Sequence, residues 1–194
     1  MIYTYPPTPT LVDRARVIPS IMHPFAMPTA VIVHPAMTPN DCDEIHEYML
    51  SVEGYEFPKC GSTRTSEVIG YKITPVLRRM EAIVRQVNRT IFGFDLNEEI
   101  WVWHQLYEEG SKYELHKDTS YGQSRKLSAI LQLTDPGEYI GGELDLIPFP
   151  DTYTVPKGKG VIVVFPSYVL HQVSTILRGE RATINMGFFG PPFR

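Results

Sequence analysis

Hydrophobic and polar positions follow two different periods along this chain, and the change between them falls near Asn97. Before that residue, apolar positions recur with a helical period of about 3.6 residues in two segments. The first predicted helix is capped by Thr38 and runs to about Leu50, and the second starts at Thr74 and ends at Gly93. The apolar stripe of the second helix consists of Leu77, Met80, Ile83, Val84, Val87 and Ile91. We therefore expect two amphipathic helices in the N-terminal half.

Short segments with the composition of strands dominate the chain after Asn97, and one more precedes the first helix. They are rich in β-branched and aromatic residues and are separated by clusters of Gly, Pro, Asp or Ser. The predicted strands are residues 29–34, 100–107, 113–117, 126–134, 143–147, 152–155, 160–165, 169–175 and 181–189. This pattern predicts a mostly β (α+β) fold, a sandwich, barrel or jelly roll, with both helices packed on one face of the major sheet.

Prolines and polar residues mark the segments outside these elements. Eight of the 17 prolines lie in the first 40 positions, so residues 1–27 are predicted to form an extended Pro-rich arm and residues 28–194 the folded domain. Residues 51–73 are polar and are predicted to be irregular. Within them, residues 55–72 form one candidate substrate loop, and residues 119–124 form a second.

Composition argues against several classes of protein. The formal net charge is -4, without the basic surplus that is typical of proteins that bind nucleic acid. Two cysteines are too few for a disulfide scaffold or a Cys-rich metal site. No apolar run approaches the roughly 20 residues that span a membrane, and the N-terminus lacks the pattern of a secretion signal. We therefore expect a cytoplasmic protein, of unspecified oligomeric state, that acts neither on a membrane nor on nucleic acid.

Two histidines and a carboxylate near the predicted strands are candidate metal ligands. His116 and Asp118 are two positions apart, so on a strand both side chains face the same side. About one such His-x-acid pair arises by chance in a chain of this composition, and a plain hydrogen bond between the two side chains is the alternative. His171 follows the apolar strand at 160–165 and is either a third ligand or a core residue. Two His and one carboxylate leave positions open on an iron ion, although zinc and manganese also accept these ligand types.

Arg181 and Thr183 form a candidate anion site on the last predicted strand. They are two positions apart and could face the same side of that strand. Because a buried arginine is costly unless it is paired, Arg181 either forms a structural salt bridge with an internal Glu or binds a carboxylate ligand through its guanidinium fork. Thr183 could add a hydroxyl donor to that anion.

The order of these motifs resembles the iron(II)- and 2-oxoglutarate-dependent dioxygenases, and in particular their prolyl 4-hydroxylase-like branch. Residues 105–118, QLYEEGSKYELHKD, look like that branch's Y-x-x-G-x-x-Y-x-x-H-x-D. Residues 127–133 and 139–144 resemble its strand followed by GGEL, and residues 156–171 resemble its segment with an FPS tripeptide before a distal His. Residues 64–66 match an R-x-S that members often carry before the long helix. The resemblance covers most of the predicted domain.

The resemblance implies a double-stranded β-helix, which is a distorted jelly roll, with flanking N-terminal helices. It implies that His116, Asp118 and His171 bind Fe(II) and carry the catalysis through that ion. It also implies that Arg181 binds the distal carboxylate of the cosubstrate 2-oxoglutarate. The other residues expected to bind this cosubstrate are Thr183, Tyr107 and Gln132. O2 is the second cosubstrate, and ascorbate is expected as a supporting reductant.

The same resemblance places a substrate pocket beside the metal. Ser128 and Ile130 share one face of the predicted strand at 126–134, and that face is expected to line the cavity. The residues predicted to line the substrate pocket are Ser128, Ile130, Trp103, Arg64 and Tyr121.

We therefore expect a dioxygenase that hydroxylates a C–H bond of a proline in a peptide or protein and releases succinate and CO2. Two alternatives stay open at this point. The same chemistry could act on a free amino acid, a nucleobase or another small molecule. The chain could also be a non-catalytic jelly-roll binding module, because a fold does not by itself establish a function.

Overall fold

The computed structural model describes residues 15–18, 28–51, 55–57, 62–67, 74–119, 124–148 and 151–192. These residues contain the α-helices α1 (Pro39–Ser51) and α2 (Pro75–Val87), and α2 continues into a π-helical turn at Asn88–Phe92. The strands are β1 (Ala15–Ile18), β2 (Ala30–Val33), β3 (Tyr55–Phe57), β4 (Ser62–Glu67), β5 (Ile100–Tyr107), β6 (Tyr113–His116), β7 (Arg125–Gln132), β8 (Tyr139–Gly141), β9 (Leu144–Ile147), β10 (Tyr153–Thr154), β11 (Ile162–Pro166), β12 (Leu170–Val173), β13 (Ile176–Gly179) and β14 (Arg181–Phe189).

The strands form antiparallel sheets, and the fold is mostly β as predicted. The major sheet has eight strands in the order β1-β2-β11-β7-β14-β5-β4-β3. A second sheet has the order β10-β9-β12-β6, and β8 pairs with β13 in a small two-stranded sheet. Most pairs of neighbouring strands in the major sheet join segments that are distant in sequence, so long-range strand pairing holds this sheet together.

Both helices pack on one face of the major sheet, as the sequence predicts. In β7, Leu127 and Leu131 belong to the core on this face, together with Ile45 and Met49 of α1 and Leu77 of α2. All five side chains are fully buried. Because side chains alternate along a strand, Ser128 and Ile130 of β7 face the opposite side. Among the described residues, neither helix has the length and apolar composition needed to cross a membrane.

The second core lies between the major sheet and the four-stranded sheet. Ile130 of β7 and Phe165 of β11 contribute from the major sheet, and Leu146 of β9 and Val173 of β12 contribute from the other. The major sheet is therefore covered on both faces, which explains why every residue of β11 is buried. The polar residues of β7 and β14 that face this second layer are the ones that build the site described below.

The helix starts confirm the predicted capping residues. The Thr38 hydroxyl accepts from the Asp41 backbone N–H at 3.1 Å, and the Asp41 carboxylate accepts from the Thr38 backbone N–H at 3.0 Å. Thr74 likewise accepts from the Leu77 N–H at 3.3 Å. Gly93 has φ 69° at the end of the π-helical turn, the left-handed conformation that ends helices.

The structure adds strands that the sequence pattern does not predict. Strands β3 and β4 occupy part of residues 51–73, where the prediction of a purely irregular segment is wrong. Strand β4 consists only of polar residues and β3 has only three residues, so neither shows the hydrophobic periodicity that marks buried strands. Strands β8 and β13 are each four residues or shorter and also escape a pattern search.

Part of the predicted N-terminal arm is a strand of the major sheet. Ala15–Ile18 form β1, which pairs with β2 so that Ile18 lies opposite Ala30. The other residues of the arm lie outside the described residues. The boundary at residue 28 therefore stays a prediction.

The reciprocal cap at α1 predicts a measurable loss of stability. Replacing Thr38 with Ala removes the side-chain acceptor for the Asp41 N–H, so the free energy of unfolding should fall by about 1 kcal/mol. Denaturant unfolding followed by circular dichroism measures this change. The variant Thr38→Ser retains the hydroxyl and should stay within a few tenths of a kcal/mol of the natural protein. Equal losses in both variants would show that the cap does not stabilise α1.

Candidate active site

A cavity of about 180 Å³ opens between the major sheet and the four-stranded sheet. Its walls come from β5, β6, β7, β9, β12 and β14. The lining residues are Trp103, Gln105, Tyr107, Tyr113, His116, Asp118, Arg125, Ser128, Ala129, Ile130, Leu144, His171, Val173, Arg181, Thr183 and Asn185. The polar members of this set cluster into a candidate metal site and a candidate anion site.

The candidate metal site contains the three residues that the sequence singles out. His116 ends β6 and lies directly opposite His171 of β12, and Asp118 follows β6 by two residues. The Nε2 atoms of His116 and His171 lie 3.6 and 3.8 Å from the nearer carboxylate oxygens of Asp118. One ligand atom from each residue lies within 4.8 Å of the other two, so a single ion can contact all three. Among the described residues, no other such group of His, Cys, Asp or Glu is present.

Hydrogen bonds to the backbone leave the Nε2 atom of each histidine available for a metal. The Nδ1 atom of His116 lies 2.7 Å from the Glu114 carbonyl oxygen, and that of His171 lies 3.0 Å from the Val169 carbonyl oxygen. A carbonyl oxygen only accepts, so each Nδ1 must carry the proton. The neutral tautomer then presents its Nε2 lone pair to the cavity, which is the usual arrangement of a metal-binding histidine.

Asp118 is held as a carboxylate before any cation is bound. Burial by itself would raise its pKa, but the Arg125 guanidinium, together with the Ser128 hydroxyl, outweighs burial and holds the pKa well below its usual range. Arg125 Nη1 lies 3.4 Å from one carboxylate oxygen, and the Ser128 hydroxyl donates to the other at 2.5 Å. The Ser167 carbonyl fixes the backbone by accepting from the Asp118 N–H at 2.9 Å. Asp118 is therefore ionised and oriented at neutral pH.

His171 is neutral for a related reason. Its burial lowers the pKa of the imidazole to about 4, even though the Asp118 carboxylate opposes this shift. Only the neutral imidazole can bind a metal. The same burial that packs His171 against Phe165, with ring centroids 4.9 Å apart, therefore keeps it competent as a ligand.

The candidate anion site is centred on Arg181. The side chain is 98% buried, since only 2% of its surface is exposed. Its Nε and Nη2 atoms have no hydrogen-bond partner among the described residues. Gly142 leaves room for it, because a Cβ atom there would lie 3.0 Å from Arg181 Cδ. A buried guanidinium with two unused donors fits a carboxylate ligand, which takes two parallel hydrogen bonds from such a fork.

Polar side chains surround Arg181 on the facing strands. The Tyr107 ring centroid lies 5.4 Å from the guanidinium carbon. Tyr107 donates its hydroxyl proton to Gln105 Oε1 at 3.0 Å, and Asn185 Nδ2 donates to the same oxygen at 2.7 Å. Asn185 Nδ2 also lies 3.2 Å from the Thr183 hydroxyl oxygen. The anion site is thus bordered by a connected network of hydrogen bonds.

The other predicted site residues fall into three groups. Ser128, Ile130 and Trp103 line the cavity. Gln132 is buried nearby, but its amide nitrogen donates to the Pro156 carbonyl at 3.0 Å, and Gln132 is not among the residues that line the cavity. Arg64 lies on β4, where its backbone pairs with Leu106, and its side chain lies outside the described residues. Tyr121 also lies outside the described residues.

Seven cavity residues received no role from the sequence, and four of them carry polar groups: Gln105, Asn185, Arg125 and Tyr113. The alternation of side chains could have found Gln105 and Asn185, since they lie two positions from Tyr107 and Thr183 on the same strands. Arg125 lacked such a signal. Its place in the cavity depends on Gly187 of β14, where a Cβ atom would lie 2.6 Å from Arg125 Nε.

Comparison with known proteins agrees with this geometry. The family model described as 2OG-Fe(II) oxygenase superfamily matches residues 102–189. A PKHD-type hydroxylase of Prochlorococcus marinus is 37% identical over 75 residues, which cover 38% of this chain and 34% of that protein. The chain therefore spans about a third of the length of this curated relative.

Solved structures share the fold at low sequence identity. A prolyl-4-hydroxylase of Pseudomonas putida matches with a TM-score of 0.69 and 19% identity, over 84% of this chain and 94% of that one. A prolyl hydroxylase of Trichoplax adhaerens, solved in complex with a peptide fragment of the hypoxia inducible factor oxygen degradation domain, matches with a TM-score of 0.67 and 13% identity, over 83% of each chain. These likenesses confirm the predicted double-stranded β-helix.

The lowered pKa of His171 predicts how the metal-free protein responds to acid. The unfolded chain takes up a proton on this histidine below about pH 6.5, whereas the folded protein does so only near pH 4. The unfolded state binds more protons in this window, so the free energy of unfolding should fall as the pH drops from 6.5 to 4. Denaturant unfolding of His171→Asn over the same range should show a shallower slope. An unchanged slope would contradict the assignment.

Proposed function

We propose that the chain is a member of the 2OG-Fe(II) oxygenase superfamily, whose family model matches residues 102–189, and that it hydroxylates a C–H bond with iron(II), 2-oxoglutarate and O2. The observation that carries the proposal is the shared cavity, in which a His-Asp-His group lies beside a buried arginine with unused donors. Bound iron, 2-oxoglutarate and O2 together supply the oxidising chemistry, with succinate and CO2 as coproducts. The protein contributes ligands, orientation and a site shielded from water.

His116, Asp118 and His171 hold the iron in this proposal. Two neutral imidazoles and one carboxylate leave about three positions open on an octahedral ion. Those positions accept two atoms of a chelating cosubstrate and O2. The Arg125 and Ser128 contacts keep Asp118 ionised and aimed at the ion.

Arg181 holds the far carboxylate of 2-oxoglutarate. Its Nε and Nη2 donors are unused and buried, so a carboxylate between them gains two charge-assisted hydrogen bonds in a site of low dielectric. Thr183 lies two residues along the same strand and supplies a neutral hydroxyl at the same end of the cavity. Gln132, whose amide nitrogen is taken by Pro156, can contribute to this site only through its amide oxygen.

We propose a proline of a peptide or protein as the primary substrate. Two structural relatives bear the name of prolyl hydroxylases, and one of them was solved with a peptide fragment. The cavity offers an apolar wall from Trp103 and Ile130 next to the metal ligands, which suits an aliphatic ring. The proposal retains Arg64 and Tyr121 as residues of the substrate pocket, the role that the sequence predicts for them.

A free amino acid is the second candidate substrate, and Arg125 is the observation that favours it. Its Nε atom is buried without a hydrogen-bond partner among the described residues, and the Arg125 side chain is one of those that line the cavity. A free carboxylate could bind there, whereas a peptide would present a neutral carbonyl. Comparing free proline with proline-containing peptides of blocked termini, by O2-coupled formation of succinate, separates the two candidates.

The metal assignment predicts the effect of removing Asp118. Under exclusion of O2, the natural protein should bind one iron(II) ion, and Asp118→Ala should bind it at least tenfold more weakly, as seen when a metal-orienting group is lost. Isothermal titration calorimetry measures the affinity. The variant Asp145→Ala removes an acidic residue outside the cavity lining and should bind iron like the natural protein. Equal affinities in all three proteins would contradict the assignment.

The cosubstrate assignment predicts a defined loss in Arg181→Lys and Arg181→Ala. Lysine keeps the charge but not the fork, so 2-oxoglutarate should bind about tenfold more weakly to Arg181→Lys and still more weakly to Arg181→Ala. Succinate formation at low 2-oxoglutarate should fall in the same order. Unchanged affinity in Arg181→Ala would show that the cosubstrate binds elsewhere.

A further inference from the structure

Three facing pairs of residues on β5 and β14 form one wall of the cavity. Arg181 lies opposite Tyr107, Thr183 opposite Gln105, and Asn185 opposite Trp103. All six side chains line the cavity. The two amides, Gln105 and Asn185, belong to the second and third of these pairs, and the proposed function gives neither of them a role.

The two amides connect the two hydroxyl groups of the anion site. Gln105 Oε1 accepts from the Tyr107 hydroxyl at 3.0 Å and from Asn185 Nδ2 at 2.7 Å. Asn185 Nδ2 donates also to the Thr183 hydroxyl oxygen at 3.2 Å. The chain of hydrogen bonds therefore runs from Tyr107 through Gln105 and Asn185 to Thr183.

The direction of these hydrogen bonds decides where each hydroxyl proton points. A hydroxyl group has one proton to donate and two lone pairs that accept. The Tyr107 proton is directed to Gln105, whereas the Thr183 oxygen accepts from Asn185 and keeps its own proton to donate. An anion held by Arg181 would therefore receive a hydrogen bond from Thr183 and none from Tyr107.

We propose that Gln105 and Asn185 are positioning residues that make Thr183, and not Tyr107, the hydroxyl donor to the carboxylate held by Arg181. This inference rests on the proposed function, because it takes 2-oxoglutarate as the ligand of Arg181. Tyr107 then acts as an aromatic wall whose ring lies 5.4 Å from the guanidinium carbon. If both amides were turned over, Gln105 would donate to Tyr107 and Thr183 would donate to Asn185, and Tyr107 would become the donor.

A double-mutant cycle on the iron(II)-loaded protein without O2 tests this assignment. The measurement is the dissociation constant of 2-oxoglutarate by isothermal titration calorimetry for Thr183→Val, Asn185→Leu and the variant with both changes. Thr183→Val loses a hydrogen bond to a charged group and should bind about tenfold more weakly. Asn185→Leu should bind about threefold to tenfold more weakly, and the double variant no more weakly than Thr183→Val, because both act through one hydroxyl.

Tyr107→Phe is the variant that decides between the two donors, since it keeps the ring and removes only the hydroxyl. If Thr183 is the donor, the affinity of Tyr107→Phe for 2-oxoglutarate should stay within about twofold of the natural protein. The control ligand is 2-oxopentanoate, which has the same carbon chain as 2-oxoglutarate but no distal carboxylate. All variants should bind this acid with the affinity of the natural protein, whereas general damage to the cavity would lower the affinity for both ligands alike.

Three outcomes would overturn the inference. In the first, the losses of affinity in Thr183→Val and Asn185→Leu add up in the double variant. In the second, Tyr107→Phe binds 2-oxoglutarate about tenfold more weakly while Thr183→Val does not. In the third, the variants bind 2-oxopentanoate more weakly to the same extent as 2-oxoglutarate. Failure of the proposed function has a different signature, in which Arg181→Ala binds 2-oxoglutarate as tightly as the natural protein. That result would remove the ligand on which the inference depends.

Discussion

The antiparallel pairing of β6 with β12 is the constraint on which the candidate site depends. It places His116 directly opposite His171, so that both imidazoles face the same cavity. A slip of one residue in this register would turn one of them to the other face of the sheet. The backbone of Asp118 is then fixed by the Ser167 carbonyl, which joins the end of β6 to the turn before β12. Strand register therefore builds the ligand group before any metal is present.

Charge compensation within the cavity follows from the same arrangement. Asp118 is buried as a carboxylate because Arg125 lies against it, and the Arg125 guanidinium packs closely over Gly187 of β14. Arg181 is the second guanidinium of the cavity and has no comparable partner among the described residues. The cavity therefore holds a paired guanidinium, Arg125, and an unpaired one, Arg181, near the candidate metal ligands. This distribution of charge suits a dianionic cosubstrate that contacts both the metal and Arg181.

Strongly periodic helices and strands, and motifs in a characteristic order, could be predicted from the sequence. Strands without a hydrophobic period, and side chains placed by contacts with distant segments, could not. The prediction gave β5 and β14 their observed bounds, and α2 began at the predicted cap Thr74. Strands β3 and β4 were missed because β3 has only three residues and β4 consists only of polar residues, so neither shows a hydrophobic period. His116, Asp118, His171 and Arg181 were identified by motif order. Arg125 was not, because its position depends on space left by a glycine on a strand that is distant in sequence.

Anomalous scattering at the iron edge, from a crystal of the iron-loaded protein, tests the candidate metal site most directly. We expect one strong peak in the cavity, in contact with Nε2 of His116, Nε2 of His171 and a carboxylate oxygen of Asp118. The Nδ1 atoms should stay on the Glu114 and Val169 carbonyl oxygens. A peak away from these three residues, or a histidine bound through Nδ1, would contradict this assignment.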